Sequence, residues 1–196
     1  MRKLYYVPIV HSPEEFGSLA KSFLEIKKRM HGSQAEKIYR ERINRFWKEI
    51  RSRLKREGLD TQEKCQCLHI YVDGLPKTDE NLIFQKVVQD LISQKLPQYL
   101  IIQELLEKGA TIHGTESIKL LLEEHSMWTN TVKGISPDLK RKAVLLQERD
   151  QFIAKRINET LPKNEIGILF IGAAHKVYNE LKRFSDIKMI LFKGGD

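Results

Sequence analysis

The residue types best suited to chemistry are concentrated between Glu148 and His175. Glu148, Arg149 and Asp150 follow one another on a helix, and a histidine, His175, closes an apolar run. Leu139, Ala143, Leu146, Ile153 and Ile157 recur at helical spacing, and the missing member of that stripe is Asp150. A carboxylate turned toward a core is costly to dehydrate unless a cation or a metal answers it, so a partner has to be near. The run Ile166 to Ile171 then ends in Gly172-Ala173-Ala174-His175. That pattern predicts a buried parallel strand that delivers an imidazole at its carboxyl end, where open α/β sheets bind ligands.

Three other polar residues follow apolar runs in the same way: His11 after Leu4 to Val10, Asp73 after Cys67 to Val72, and Glu116 after the short segment Gly109 to His113. Right-handed crossovers bring such residues to one edge of the sheet. The expected cleft gathers His11, Glu148, Arg149, Asp150 and His175, with Asp73 and Glu116 on the substrate side. Two neutral imidazoles, His11 and His175, plus a carboxylate could hold a divalent Mn, Co or Zn ion and activate water. Without metal, His175 oriented by Asp150 would be a general base and Arg149 would stabilise an oxyanion. A purely architectural reading also exists, in which Asp150 pairs with Arg149 and backbone carbonyls satisfy the histidines.

The elements that must position these residues are legible in outline. Strands separated by helices predict an α/β fold with a mostly parallel central sheet, flanking helices and a long basic helical segment after the first strand. One domain spans 1–196, with 13–58 a helical arm or insertion. Ser12-Pro13-Glu14-Glu15 and Ser33-Gln34-Ala35-Glu36 read as helix starts, and Pro97 separates two helices. Thr78 and Thr115 are candidate caps, and Ser136-Pro137-Asp138 opens the helix that stops before Pro162. The last strand is expected over Ile187 to Phe192, directly after the one that ends at His175.

With these motifs in hand, Glu148-Arg149-Asp150 followed by Gly172-Ala173-Ala174-His175 resembles the carboxyl-terminal signature of the TraB, Tiki, ChaN and erythromycin-esterase-like superfamily, which carries a glycine-x-x-histidine motif at each end of its domain. Pro8-Ile9-Val10-His11 is the amino-terminal counterpart, with proline in place of glycine, and the family's acidic positions fall on Asp73 and Glu116. The resemblance implies a hydrolase-like pocket: Tiki relatives are metal-dependent proteases, and the esterase relatives use a histidine on a lactone.

The net charge of +8 comes from one segment. Between Lys21 and Glu57 there are 13 Lys or Arg against 5 Asp or Glu, and the rest of the chain holds 21 of each. Tyr39, Ile43, Phe46, Trp47, Ile50 and Leu54 form an apolar stripe there, while Arg45, Lys48, Arg51 and Lys55 fall on other faces. Left uncovered by the domain, such a stripe would make a homodimer interface. The basic face supplies the rival to a hydrolase acting on a small-molecule or peptide substrate: a non-enzymatic protein that meets nucleic acid or another anionic partner. A small-molecule sensor using the strand-end pocket is a third reading. No apolar run approaches a membrane span and the first residues do not read as a signal peptide, so a cytoplasmic location is expected. Cys65 and Cys67, one residue apart in a strand-like segment, are expected on one face as reduced thiols.

Overall fold

The structure, a computed structural model, describes residues 1–13, 20–32 and 34–192. Five strands, β1 (Arg2–Ile9), β2 (Leu68–Val72), β3 (Thr111–His113), β4 (Ile166–Gly172) and β5 (Ile187–Leu191), form one all-parallel sheet in the order β3-β2-β4-β1-β5. β4 inserts between β1 and β2, which places Ile9 beside Gly172 and Val72 beside Phe170. The carboxyl ends of three strands are therefore neighbours at the point where the chain reverses its direction of winding, the crevice such sheets use for ligands.

Side chains alternate between two cores, as strand geometry requires. Tyr5, Val7, Ile9, Ile70, Val72, Ile168 and Phe170 face α2 (Ala35–Arg56), α4 (Asn81–Ser93) and α5 (Pro97–Glu107). Leu4, Tyr6, Tyr71, Leu169 and Ile171 face α7 (Leu139–Thr160) and α8 (Val177–Leu181). Helices on both faces explain why β4 reads as an unbroken apolar run. The apolar stripe of α2 lies inside the first core: Ile43, Trp47, Ile50 and Leu54 are buried, and the Trp47 ring tilts against Phe170 at 5.8 Å. The domain's own sheet thus covers that stripe, which leaves it buried and closed to a homodimer contact.

Several local expectations are corrected. Cys65 ends a short helix, α3 (Gln62–Cys65), and is buried, while Cys67 lies beyond it and is exposed; a helical turn, not a pleat, separates the two. Thr115 does not cap the next helix, α6 (Ile118–Val132). It is buried at the strand ends, where its hydroxyl accepts from Val72 N and donates to His113 O. The stripe of α7 holds only in its second half. Leu139 is 72% exposed and Ala143 is exposed, whereas Leu145, Arg149, Asp150, Ile153, Ala154 and Ile157 are buried, because the first turns of α7 run beyond the sheet alongside α6. The last two strands are not consecutive elements; α8 supplies the crossover that a parallel pair needs. The start at Ser12-Pro13-Glu14-Glu15 and the cap at Ser33 involve residues outside those described.

Pro8 sits inside β1 without breaking the ladder. On that side β5 pairs only as far as Tyr6 with Leu191, and Phe192 N donates to Tyr6 O, so the missing N–H of Pro8 lies past the end of its neighbour. Among the described residues, no helix is long and apolar enough to cross a membrane.

Candidate metal centre

Asp73 is the centre of the strand-end site. It follows β2 directly, its backbone N–H donates to Phe170 O, and its side chain is 5% exposed. Oδ2 accepts from Gly172 N at 2.8 Å and from His11 Nε2 at 3.1 Å, and it stands 3.7 Å from His175 Nε2. Oδ1 accepts from Arg149 at 2.9 Å. The close approach of β4 depends on glycine: a Cβ on Gly172 would lie 2.8 Å from His11 Nε2 and 2.9 Å from Asp73 Oδ2.

His175 is locked from behind. Its Nδ1–H donates to Asp150 Oδ1 at 2.6 Å, and the other oxygen of Asp150 accepts from Lys176 N at 2.7 Å. The core-facing carboxylate of α7 therefore serves to fix a tautomer in which Nε2 faces Asp73, the arrangement of a histidine that ligates metal with a carboxylate behind it. His175 is itself buried, not at the pocket's edge.

Glu116 is fully buried and sits two residues before α6. It accepts from Arg149 Nε at 2.9 Å and Nη2 at 2.5 Å, and from Gly74 N at 3.3 Å. The remaining nitrogen of Arg149, Nη1, reaches Glu124 Oε2 at 2.5 Å. All three guanidinium nitrogens are thus engaged by carboxylates, which corrects the oxyanion role considered for Arg149: it positions Asp73 and Glu116. Glu148 is displaced as well. It pairs with Arg141, which also holds Glu123, so it faces α6 and not the site. Two residues before Asp150 on a helix is a different face.

Asp73, Glu116 and His175 each offer a ligand atom, and these atoms lie within 4.8 Å of one another. Donors at metal distance from one ion are separated by up to about 4.4 Å, so the group needs little adjustment to close on one. His11 stands one hydrogen bond away, on the open side of Asp73, with 33% of its side chain exposed. The expected pair of histidines is thereby replaced by one histidine and two carboxylates.

The electrostatics point the same way. Asp73 and Glu116 are buried around one arginine, with Glu124 a third carboxylate at the rim, and Asp150 is buried against His175. Burial pushes the Glu116 carboxyl up to about 6 despite Arg149. Burial would raise Asp73 too, but the His11 hydrogen bond and the charges of His175, His11 and Arg149 outweigh it and hold it well below the ordinary carboxylate range. Burial would lower His175, yet the hydrogen bond to Asp150 and the charge of Asp73 raise it. Two buried carboxylates and Glu124 share the single charge of Arg149, and a divalent cation is one means of supplying more.

Sequence reasoning missed Tyr39, Tyr6 and Glu124. Tyr39 OH donates to His11 O at 2.6 Å, and Tyr6 OH donates to His175 O at 3.3 Å. Tyrosines on apolar stripes and a glutamate on a solvated helix carry no signal until the chain is folded. A second polar cluster lies on the α7 face: Glu165 bonds His69 Nε2, His69 Nδ1 meets His113 Nε2 at 2.7 Å, and the two imidazoles stack beside Tyr71.

Comparison of the chain with protein-family models, with curated proteins and with solved structures finds no match.

Proposed function

We propose that the strand-end site is the active site of a metal-assisted hydrolase. The observation that carries this reading is the juxtaposition of Asp73, Glu116 and His175 Nε2, with Asp150 locking the histidine from behind. Nitrogen and carboxylate oxygen in this ratio suit Zn, Mn or Co. Asp73 Oδ1 and Glu116 Oε2 each accept one hydrogen bond and keep a second lone pair for a ligand bond, whereas Asp73 Oδ2 and Glu116 Oε1 each accept two. A divalent ion held there would supply Lewis acidity to water or to a substrate carbonyl near neutral pH.

The chain's own residues provide the rest. Arg149 fixes two of the ligand carboxylates from behind, and Gly172 N–H fixes the oxygen of Asp73 that faces both histidines. His11, at the open side, is placed to hand a proton to a leaving group or take one from water. The resemblance of the Glu148-to-His175 motif to the TraB and Tiki superfamily supports the same chemistry.

The test is turnover of ester, lactone and peptide panels by metal-stripped protein with and without added Mn, Co or Zn. Activity should require metal and disappear in His175→Asn, which keeps a donor for Asp150 but lacks Nε2. Asp150→Asn should lower metal affinity or activity by about 10–100-fold. Metal-independent turnover that survives in His175→Asn would reject the reading.

A further inference from the structure

The basic surface of α2 is not used by the strand-end site, and its chemistry is its own. α2 has 22 residues, about 33 Å of helix, and its apolar stripe is committed to the core. What it presents outward is mostly positive charge: Lys37, Arg45, Lys48 and Lys55 are exposed, with Glu41 exposed among them, whereas Arg51 is half-buried and paired with Glu104. α1 (Ala20–His31), in contact with α2, adds exposed Lys21, Lys28 and Arg29. Ile38 is the single large apolar residue exposed on α2 among the described residues.

That composition selects among anionic partners. A helix that binds lipid buries an apolar face in the membrane, and here that face is already spent on the sheet. A protein partner would be anchored by exposed aromatic or aliphatic side chains near the centre of the patch, and Ile38 alone does not make such a cluster. Proteins that hold single strands stack bases on aromatic rings, whereas Trp47 is buried, Phe46 packs against it edge-on at 5.1 Å, and the Tyr39 hydroxyl is bonded to His11. A line of cations, broken once by Glu41 and without stacking platforms or apolar anchors, fits a line of phosphates.

We propose that the outer face of α2 binds the phosphate backbone of duplex nucleic acid without reading its sequence, through Arg45, Lys48 and Lys55 together with Lys37. The surface binds by charge alone, so its affinity falls steeply with salt. It does not depend on the strand-end site being a hydrolase. Tyr39, on the inward side of α2, bonds His11 O, so the helix that carries this outer face is also packed against the strand-end site.

The test is fluorescence anisotropy of a labelled DNA duplex with the full chain across a salt series, for the native protein and for the triple variants R45Q/K48Q/K55Q and R45E/K48E/K55E. Native protein should bind with a log–log salt slope of at least about 3, and the glutamine variant should lose about 2–3 from that slope. The glutamate variant should lose duplex binding, with both variants melting as the native chain does because these side chains are exposed. The pairing with His175→Asn keeps the two readings apart, since that variant should bind duplex like the native chain. Failure of native protein to bind duplex, binding unchanged in the glutamine variant, or tighter binding to vesicles of anionic lipid than to duplex would each overturn the proposal.

Discussion

Gly172 shows how tightly the site is drawn. Its missing side chain lets β4 approach Asp73, and an added methyl meets His11 Nε2 and Asp73 Oδ2 inside 3 Å. Gly167 makes a useful contrast. A Cβ there would lie 2.7 Å from Leu4 Cδ1, with Leu161 and Tyr71 next, which are ends of side chains in the core. Gly172→Ala and Gly167→Ala should both lower the melting temperature, each by the equivalent of about 1–3 kcal/mol of overpacking. Only Gly172→Ala should also weaken metal binding. Equal metal affinity in the two variants, read by calorimetry, would show that the backbone of β4 does not set the site's geometry. At this scale the sequence was informative about His175 and Asp150, because a polar residue interrupts an apolar pattern at each. It was uninformative about who partners whom: Arg149 looks like a catalytic cation next to Asp150, and only the fold turns it to Asp73, Glu116 and Glu124.

Among the elements, β3 is the weakest member of the sheet. It has three residues, lies at the edge, and is tied across to β2 by the contact between His113 and His69. Burial pushes His113 down to about 4, with the neighbouring His69 and Arg156 adding to the effect. A histidine whose folded value lies below its unfolded one near 6.5 stabilises the fold fully above that value, and the contribution is lost as pH falls toward 4. The groups around it are His69, Tyr71, Arg156 and Glu165. Between pH 7 and pH 4 the native protein should lose about 1–2 kcal/mol through this group, allowing for its partial exposure, and His113→Gln should show a shallower decline. Parallel pH–stability curves for the two proteins would contradict the assignment. The long helices and all five strands could be read from periodicity and from Pro97 and Pro162. The short helices α3 and α8, of four and five residues, could not, since each is shorter than the window over which a helical period declares itself. The exposed first half of α7 shows the same limit from the other side: Leu139 and Ala143 keep the period, yet the sheet ends before it reaches them.

For the molecule as a whole, parallel strands with helices on both faces do most of the work of making a site. Inserting β4 between β1 and β2 carries His175 to the edge that already holds His11 and Asp73, and the edge strand β3 adds Glu116. The sequence showed that polar residues end the strands; it did not show the strand order, and that order makes Asp73 the centre. The same frame buries the apolar side of α2 and leaves its cations outside, so one helix both closes the core and carries the charged surface. The central claim is that Asp73, Glu116 and His175 hold a divalent ion. It is tested most directly by calorimetric titration of metal-stripped protein with Zn²⁺ and Mn²⁺, repeated on His175→Asn and Glu116→Gln. The account predicts one ion per chain, release of protons on binding, and a rise in stability of about 2.7 kcal/mol when the free ion is at a hundred times its dissociation constant. Both variants should lose that site while remaining folded. Absence of binding in the native chain, or one ion per chain bound equally by native protein and both variants, would contradict it.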